Sequence, residues 1–169
     1  MPTELRGERV LLRPVAGSDK SALVAIRSSD SVRRWWRGDD LAAEFDEELS
    51  DDEVHRFVIE ALDGRVVGLI QFVEEHDPDY RHASIDVYID PEVHRRGHAT
   101  AAIGVLIDHL FSRLGHHRLT IDPSADNAAA IACYTKIGFR RVGRMTAYER
   151  RPDGTWGDGI LMELIRPDR

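Results

Sequence analysis

The chain has 169 residues, 42% hydrophobic and 31% charged, with 23 basic against 30 acidic side chains and a formal charge of −7. That length fits a single domain, 1–169, whose core needs no disulfide staples, and the lone Cys133 excludes an internal disulfide and a cysteine-rich zinc site. An acidic balance without clustered Lys and Arg argues against a nucleic-acid partner. Residues 1–10 hold no apolar run of signal-peptide length, and the weakly polar stretch 99–107 is far short of a membrane span. The expectation is a cytoplasmic protein with no membrane partner.

In chain order, residues 9–15 read as a first strand, and Ser18 or Asp19 caps a helix running to about Ser28. A short helical or irregular piece follows and carries Trp35 and Trp36. Two β-rich runs, 55–62 and 65–73, are joined by Asp63-Gly64, a strong hairpin signal. Residues 83–89 form another strand, ended by Asp90-Pro91.

From Gly97 the period changes. Ala99, Ala102, Ile103, Leu106, Ile107, Leu110 and Leu114 share one helical stripe, closed by Gly115. A short strand at 118–121 and the turn Asp122-Pro123-Ser124 lead into a second amphipathic helix, 127–137, stopped by Gly138. Residues 139–142 and 160–165 are late strands. The order predicts an α/β fold: a mixed, mostly antiparallel sheet with helices on both faces.

The acid is unevenly distributed. Nine carboxylates lie between Asp39 and Glu53 with no base among them, and Glu74, Glu75, Asp77 and Asp79 form a second group. Such segments read either as solvated, partly mobile loops or as an acidic rim that concentrates a cationic substrate. Composition does not choose between the two.

The strand-to-helix joint 90–99 is basic in an otherwise acidic chain, through Arg95 and Arg96, and small at Gly97 and Ala99. Small residues there let backbone N–H groups approach an anion at the helix N-terminus. No Gly-Lys-Ser/Thr P-loop and no G-x-G-x-x-G pattern is present, which argues against a nucleoside triphosphatase or a dinucleotide fold.

The motif His94-x-x-Gly97-x-Ala99 resembles the (Gln/Arg)-x-x-Gly-x-(Gly/Ala) loop of the GCN5-related N-acetyltransferase (GNAT) family, with His94 where Gln or Arg is usual. A second match, at 127–139, resembles the family's Asn-x-x-Ala-x-x-x-Tyr-x-Lys-x-Gly-Phe segment. Within the family, three pieces are similar to the aminoglycoside 6′-N-acetyltransferases: the Trp35-Trp36 segment with its following acids, Ile85-Asp86-Val87-Tyr88-Ile89, and the Asp122-Pro123-Ser124 turn before Asn127.

The resemblance implies the GNAT fold and acetyl-coenzyme A as cofactor, its pyrophosphate cradled by His94, Arg95, Arg96, Gly97, His98, Ala99 and Thr100. It implies that backbone amides near Tyr88 and Ile89 polarise the thioester carbonyl. Tyr134 would be the general acid for the departing thiolate, its pKa of about 10 suiting that role. Asn127 matches a coenzyme contact, and helix capping is an equal alternative. Cys133 has no adjacent base and reads as a small apolar residue. The eight histidines lack an H-E-x-x-H arrangement, so no metal is expected.

For the acceptor, strand alternation puts Ser84, Asp86 and Tyr88 on one face. A wet face explains this Asp as well as chemistry does. The resemblance implies a carboxylate that binds the substrate ammonium and takes its proton, directly or through water. Asp122 would hold a second amino group, or it is only a turn former. One of Trp35 and Trp36 would line the pocket while the other packs inward, because neighbours on a helix point apart. Glu74 or Glu75 would complete a negative rim, or be plain solvated surface. The expected activity is acetylation of a small cationic amine, foremost the 6′-amine of an aminoglycoside, by a monomer or homodimer. A protein N-terminus, a polyamine or a metabolite amine is the rival acceptor, and a non-catalytic acyl-coenzyme A sensor the rival class.

Overall fold

The computed structural model describes residues 4–167. The strands are β1 (Leu5–Arg6), β2 (Val10–Pro14), β3 (Val54–Ala61), β4 (Val66–Glu75), β5 (His82–Ile89), β6 (Arg118–Ile121), β7 (Arg140–Arg150) and β8 (Trp156–Ile165). The helices are α1 (Lys20–Ser28), α2 (Asp30–Arg33), α3 (Leu41–Leu49), α4 (His98–Ser112) and α5 (Ala128–Ile137). The strands form one sheet in the order β1-β2-β3-β4-β5-β6-β8-β7. Every neighbouring pair is antiparallel except β5 and β6, which are parallel and joined through α4.

That parallel seam is short. Ala83 pairs with Leu119 and Ser84 with Thr120, after which no further pair joins the two strands. β5 continues to Ile89 and β6 to Ile121, so the strands part at their C-terminal ends and open a cleft in the sheet.

Strand alternation sorts the core into two clusters. Ile70, Phe72, Ile85 and Leu119 face α4 and α5, whose Ile103, Leu106, Leu110, Ile131 and Tyr134 complete one buried cluster. Val58, Leu69 and Tyr88 face the other way and pack with Leu23 and Ile26 of α1, Val32 of α2 and Phe45 of α3.

The acidic stretch 39–53 is a helix rather than a loop over much of its length. Asp40 caps α3 by accepting the Ala43 N–H at 3.1 Å, and Leu41 and Phe45, one turn apart, bury its apolar stripe. The buried Arg27 of α1 donates to Glu44 and Glu48, both at 3.2 Å, and to the Arg37 carbonyl at 3.1 Å. Arg56 of β3 reaches the Glu48 carbonyl at 2.8 Å, and Lys20 meets Asp46 at 2.6 Å. Several of the acids are therefore neutralised by their own frame, which explains how so charged a segment folds.

The remaining differences lie at ends and edges. β1 is absent from the sequence reading because two residues carry no period. The late hairpin is much longer than 139–142 with 160–165, since β7 extends to Arg150 with its face largely exposed and no alternating signature. Among the described residues no helix is long and apolar enough to cross a membrane.

Candidate active site

The joint between β5 and α4 is built to turn sharply. Asp90 donates its N–H to Val67 of β4 at 2.7 Å, while its carboxylate accepts from Glu92 N–H at 3.0 Å. Arg65 grips the same turn from outside, at 2.9 Å from Asp90 and 2.8 Å from Glu92. Arg95 adopts φ 62° and Gly97 φ 81°, so the backbone passes through the left-handed region just before α4 begins. The open first turn of this 15-residue helix, from His98, presents N–H donors unused by the helix, beside the exposed Arg95, Arg96 and Thr100.

The His94 side chain turns back to the sheet. Its Nε2 lies 3.1 Å from the Ile89 carbonyl, so the ring ties the loop back to the end of β5. Ala99 packs into the core beside α5, and the Thr100 hydroxyl lies 3.7 Å from the Cys133 thiol across the two helices. His98 holds a buried Nδ1 without a partner among the described residues.

Asn127 caps α5, its Oδ1 accepting the Ala130 N–H at 3.1 Å. Two turns on, the Tyr134 ring is buried against Phe139, with ring centroids 6.3 Å apart. Burial pushes its hydroxyl pKa up, with the nearby Cys133 and the charges of Asp86 and Asp122 adding to the shift.

Asp86 stands opposite Gln71 of β4, on the sheet face turned away from α4. The Gln71 amide lies 3.5 Å from its carboxylate. Burial first, and then the charges of Asp122 and Glu149, raise its pKa to about 6, against the opposing Gln71 contact. Tyr134 belongs to the opposite face, yet feels the charge of Asp86. Among the described residues β5 has no partner strand on the β6 side beyond Ser84.

The backbone of β5 can be assigned by alternation. Asp90 and Tyr88 direct their N–H groups at β4, whereas that of Ile89 points to the side β6 has left. Ile89 thus offers a donor to the cleft. Tyr88 does not: its N–H faces β4, and its ring is buried under Trp36, edge-on at 4.7 Å.

Asp122 follows β6 directly and accepts a very short hydrogen bond from the Tyr148 hydroxyl. Tyr148 and Glu149, both in β7, were missed in the sequence. They reach the cleft through a bulge, and nothing in the local pattern signals it. The Glu149 carboxyl is held above its usual range by burial and by the charge of Asp122.

Glu74 is a correction. It continues the alternation of Ile70 and Phe72 toward α4, away from Asp86, and accepts from His116 Nε2 at 2.7 Å with His55 at 3.5 Å. It hydrogen-bonds a fully buried histidine, whose pKa burial lowers, and faces away from the acceptor side, while Glu75 is simply exposed. Trp36 packs beside Tyr88 on the Asp86 face, and Trp35 lies half-buried under the Arg34 guanidinium at 4.8 Å. Among the described residues no group of three or more His, Cys, Asp or Glu side chains is placed to hold a metal ion.

The arrangement sets a loop with free N–H donors and exposed arginines beside a half-buried carboxylate and a buried phenol across a split sheet. Comparison with known proteins gives the family. Residues 9–140 match the family described as "Acetyltransferase (GNAT) domain". The spermidine N(1)-acetyltransferase of Escherichia coli K12 is 30% identical over 163 residues, 93% of this chain and 86% of that protein. The aminoglycoside N(6′)-acetyltransferase type 1 of Klebsiella pneumoniae is 28% identical over 167 residues, 87% of this chain and 80% of that protein. Among solved structures, the spermidine N-acetyltransferase of Vibrio cholerae in complex with CoA and spermine superposes with a TM-score of 0.80 at 20% identity, covering 94% and 96% of the two chains. The chain belongs to the GNAT family and is an acetyl-CoA-dependent N-acetyltransferase.

Proposed function

We propose that this enzyme acetylates a primary amine on a small polycationic acceptor, with a linear polyamine of the spermidine type as first choice. The observation that carries this is the carboxylate group Asp86, Asp122 and Glu149, whose charges act on one another around the opening between β5 and β6. Three acids beside one cleft suit an acceptor with several ammonium groups. The higher identity and coverage of the spermidine enzyme favour the linear acceptor. An aminoglycoside acetylated at its 6′-amine is the second reading, supported by the segments around Trp35-Trp36, Asp86 and Asp122 that resemble those enzymes.

The residues fit the coenzyme. A left-handed Gly97 leaves the helix opening bare, and β5 beyond Ser84 has an unpaired edge on which an extended arm can lie. The loop 95–100 would hold the pyrophosphate, with His94 bracing the loop from Ile89. Asn127 would orient α5 as its cap. Acetyl-CoA supplies an activated acetyl thioester and leaves as a thiol.

The chain's own residues supply the rest. Asp86, titrating at about 6, is ionised at neutral pH and accepts the ammonium proton directly or through one water, so that the neutral amine attacks. The Ile89 N–H donates to the oxygen on which negative charge develops. Tyr134 stays protonated in its buried setting and gives its proton to the departing sulfur. Trp36 flanks the acceptor side of the cleft.

The test follows thiol release from acetyl-CoA with spermidine, kanamycin, paromomycin and a ribosomal N-terminal peptide. Turnover with spermidine above the others is expected. Kanamycin turnover with paromomycin silent, paromomycin having a 6′-hydroxyl, would move the assignment to the aminoglycoside. Turnover with the peptide alone would overturn the polycation reading.

A further inference from the structure

The β7 bulge is a constructed feature. Met145 faces Gly159 and Glu149 faces Gly157, so residues 146, 147 and 148 stand against Asp158 alone. Ala147 takes φ 49°, a left-handed conformation that a residue with a Cβ adopts at a cost. The Asp158 carboxylate pins the centre of the bulge and the strand before it, accepting from Ala147 N–H at 2.8 Å and from Arg144 Nε at 2.6 Å.

The effect is to seat one ring. A Cβ on Gly159 would lie 2.8 Å from Tyr148 Cδ1, so the phenol rests on a bare backbone. From there its hydroxyl donates to Asp122 Oδ2. The same segment of β8 is stitched to the loop that carries Asp122: Ala125 N–H donates to the Asp158 carbonyl at 2.8 Å, and Ile160 N–H to the Pro123 carbonyl at 2.9 Å. Donor and acceptor therefore sit on one frame.

We propose that Tyr148 is a positioning residue for the acceptor site, one that fixes the Asp122 carboxylate to receive a second ammonium group and so selects di- and polyamines over monoamines. This rests on Asp122 lining the acceptor cleft as set out above. A phenol hydrogen bond to Oδ2 offsets the repulsion from the neighbouring carboxylates without adding a cation that would compete with substrate, and leaves Oδ1 to the incoming ammonium.

The experiment is a double-mutant cycle read by calorimetric titration of spermidine into the CoA-bound protein, with n-butylamine turnover as the monoamine control. Tyr148→Phe is expected to weaken spermidine binding about tenfold, the size of one lost hydrogen bond to a charged group. It leaves kcat/KM for n-butylamine within about twofold, on the same principle that the untouched reacting end keeps its contacts. Asp122→Asn weakens spermidine further, and Tyr148→Phe added to it has no additional effect. Gly159→Ala, which keeps the hydroxyl but displaces the ring, reproduces Tyr148→Phe. Unchanged spermidine affinity in Tyr148→Phe, effects that multiply in the double variant, or no spermidine binding by the wild type would each overturn the proposal. Coupling without turnover would sink the acceptor assignment alone, and turnover without coupling would sink this inference alone.

Discussion

At the residue scale, Asp86 sets function against stability. Its pKa in the folded chain, about 6, lies above the ordinary 3.8. Folding is therefore favoured most when the group is protonated. The penalty grows as pH rises from 3.8 through 6 and is complete above that, at up to roughly 3 kcal/mol for this half-buried group. Asp86→Asn is expected to raise the neutral-pH unfolding free energy by up to about that amount, read by urea denaturation, while lowering kcat at least a hundredfold. In the wild type, kcat/KM should rise through pH 6 as the base ionises. Loss of activity without any gain in stability would mean that Asp86 is not held at this energetic cost. The residue itself was legible, because an Asp in a β-rich run contradicts strand propensity. Glu74 was not, since its assignment depends on which sheet face the strand buries and on a histidine 42 residues away.

At the element scale, the start of α4 concentrates conformational cost in one position. Gly97 at φ 81° has only the flexible tip of Arg9 near its missing Cβ, at 3.2 Å, so crowding is slight and the backbone conformation dominates. Gly97→Ala is expected to cost about 1 kcal/mol of stability. It should also raise the KM for acetyl-CoA several-fold by tilting the loop N–H groups, with amine KM unchanged; an unchanged coenzyme KM would argue against this loop as the cradle. Elements with strong periods, α4 and α5 above all, were readable, α5 with its stop at Gly138, whereas α4 ends at Ser112, short of Leu114 and Gly115. The acidic helix α3 was not, because its anchors, Arg27 and Arg56, lie outside its own sequence. Nor was the reach of β7, whose exposed face lacks alternation and whose bulge breaks register just where Tyr148 and Glu149 enter the cleft.

At the scale of the whole molecule, a charge of −7 acts beyond contact distance. Part of the acid is neutralised locally, Glu44 and Glu48 by Arg27 and Asp46 by Lys20, but among the described residues Asp86, Asp122 and Glu149 hydrogen-bond to no basic side chain, and only the charge of Arg151 acts against the burial of Glu149. A trivalent amine is therefore drawn to the cleft more strongly than a monovalent one, over a range that salt shortens. Raising ionic strength from about 0.01 to 0.3 M, which contracts the screening length roughly fivefold, should raise the KM for spermidine several-fold and that for n-butylamine far less. Equal slopes for the two amines would mean that the field does not select the substrate.

The two-pair seam between β5 and β6 also sets how the molecule breathes. Among the described residues five strands lie on one side and three on the other, their ladder pairs across the seam being Ala83 with Leu119 and Ser84 with Thr120, while the α4-side core runs continuously beneath. Opening at the seam breaks few ladder bonds, so the two blocks are natural cooperative units for amide exchange, with β6, β8 and β7 exchanging together and apart from β2 to β5. A ligand spanning the cleft touches both blocks, and its affinity includes the work of holding them in one register. Slowed exchange on both sides of the seam on adding CoA, in amides distant from the loop 94–100, would be the mark of that coupling.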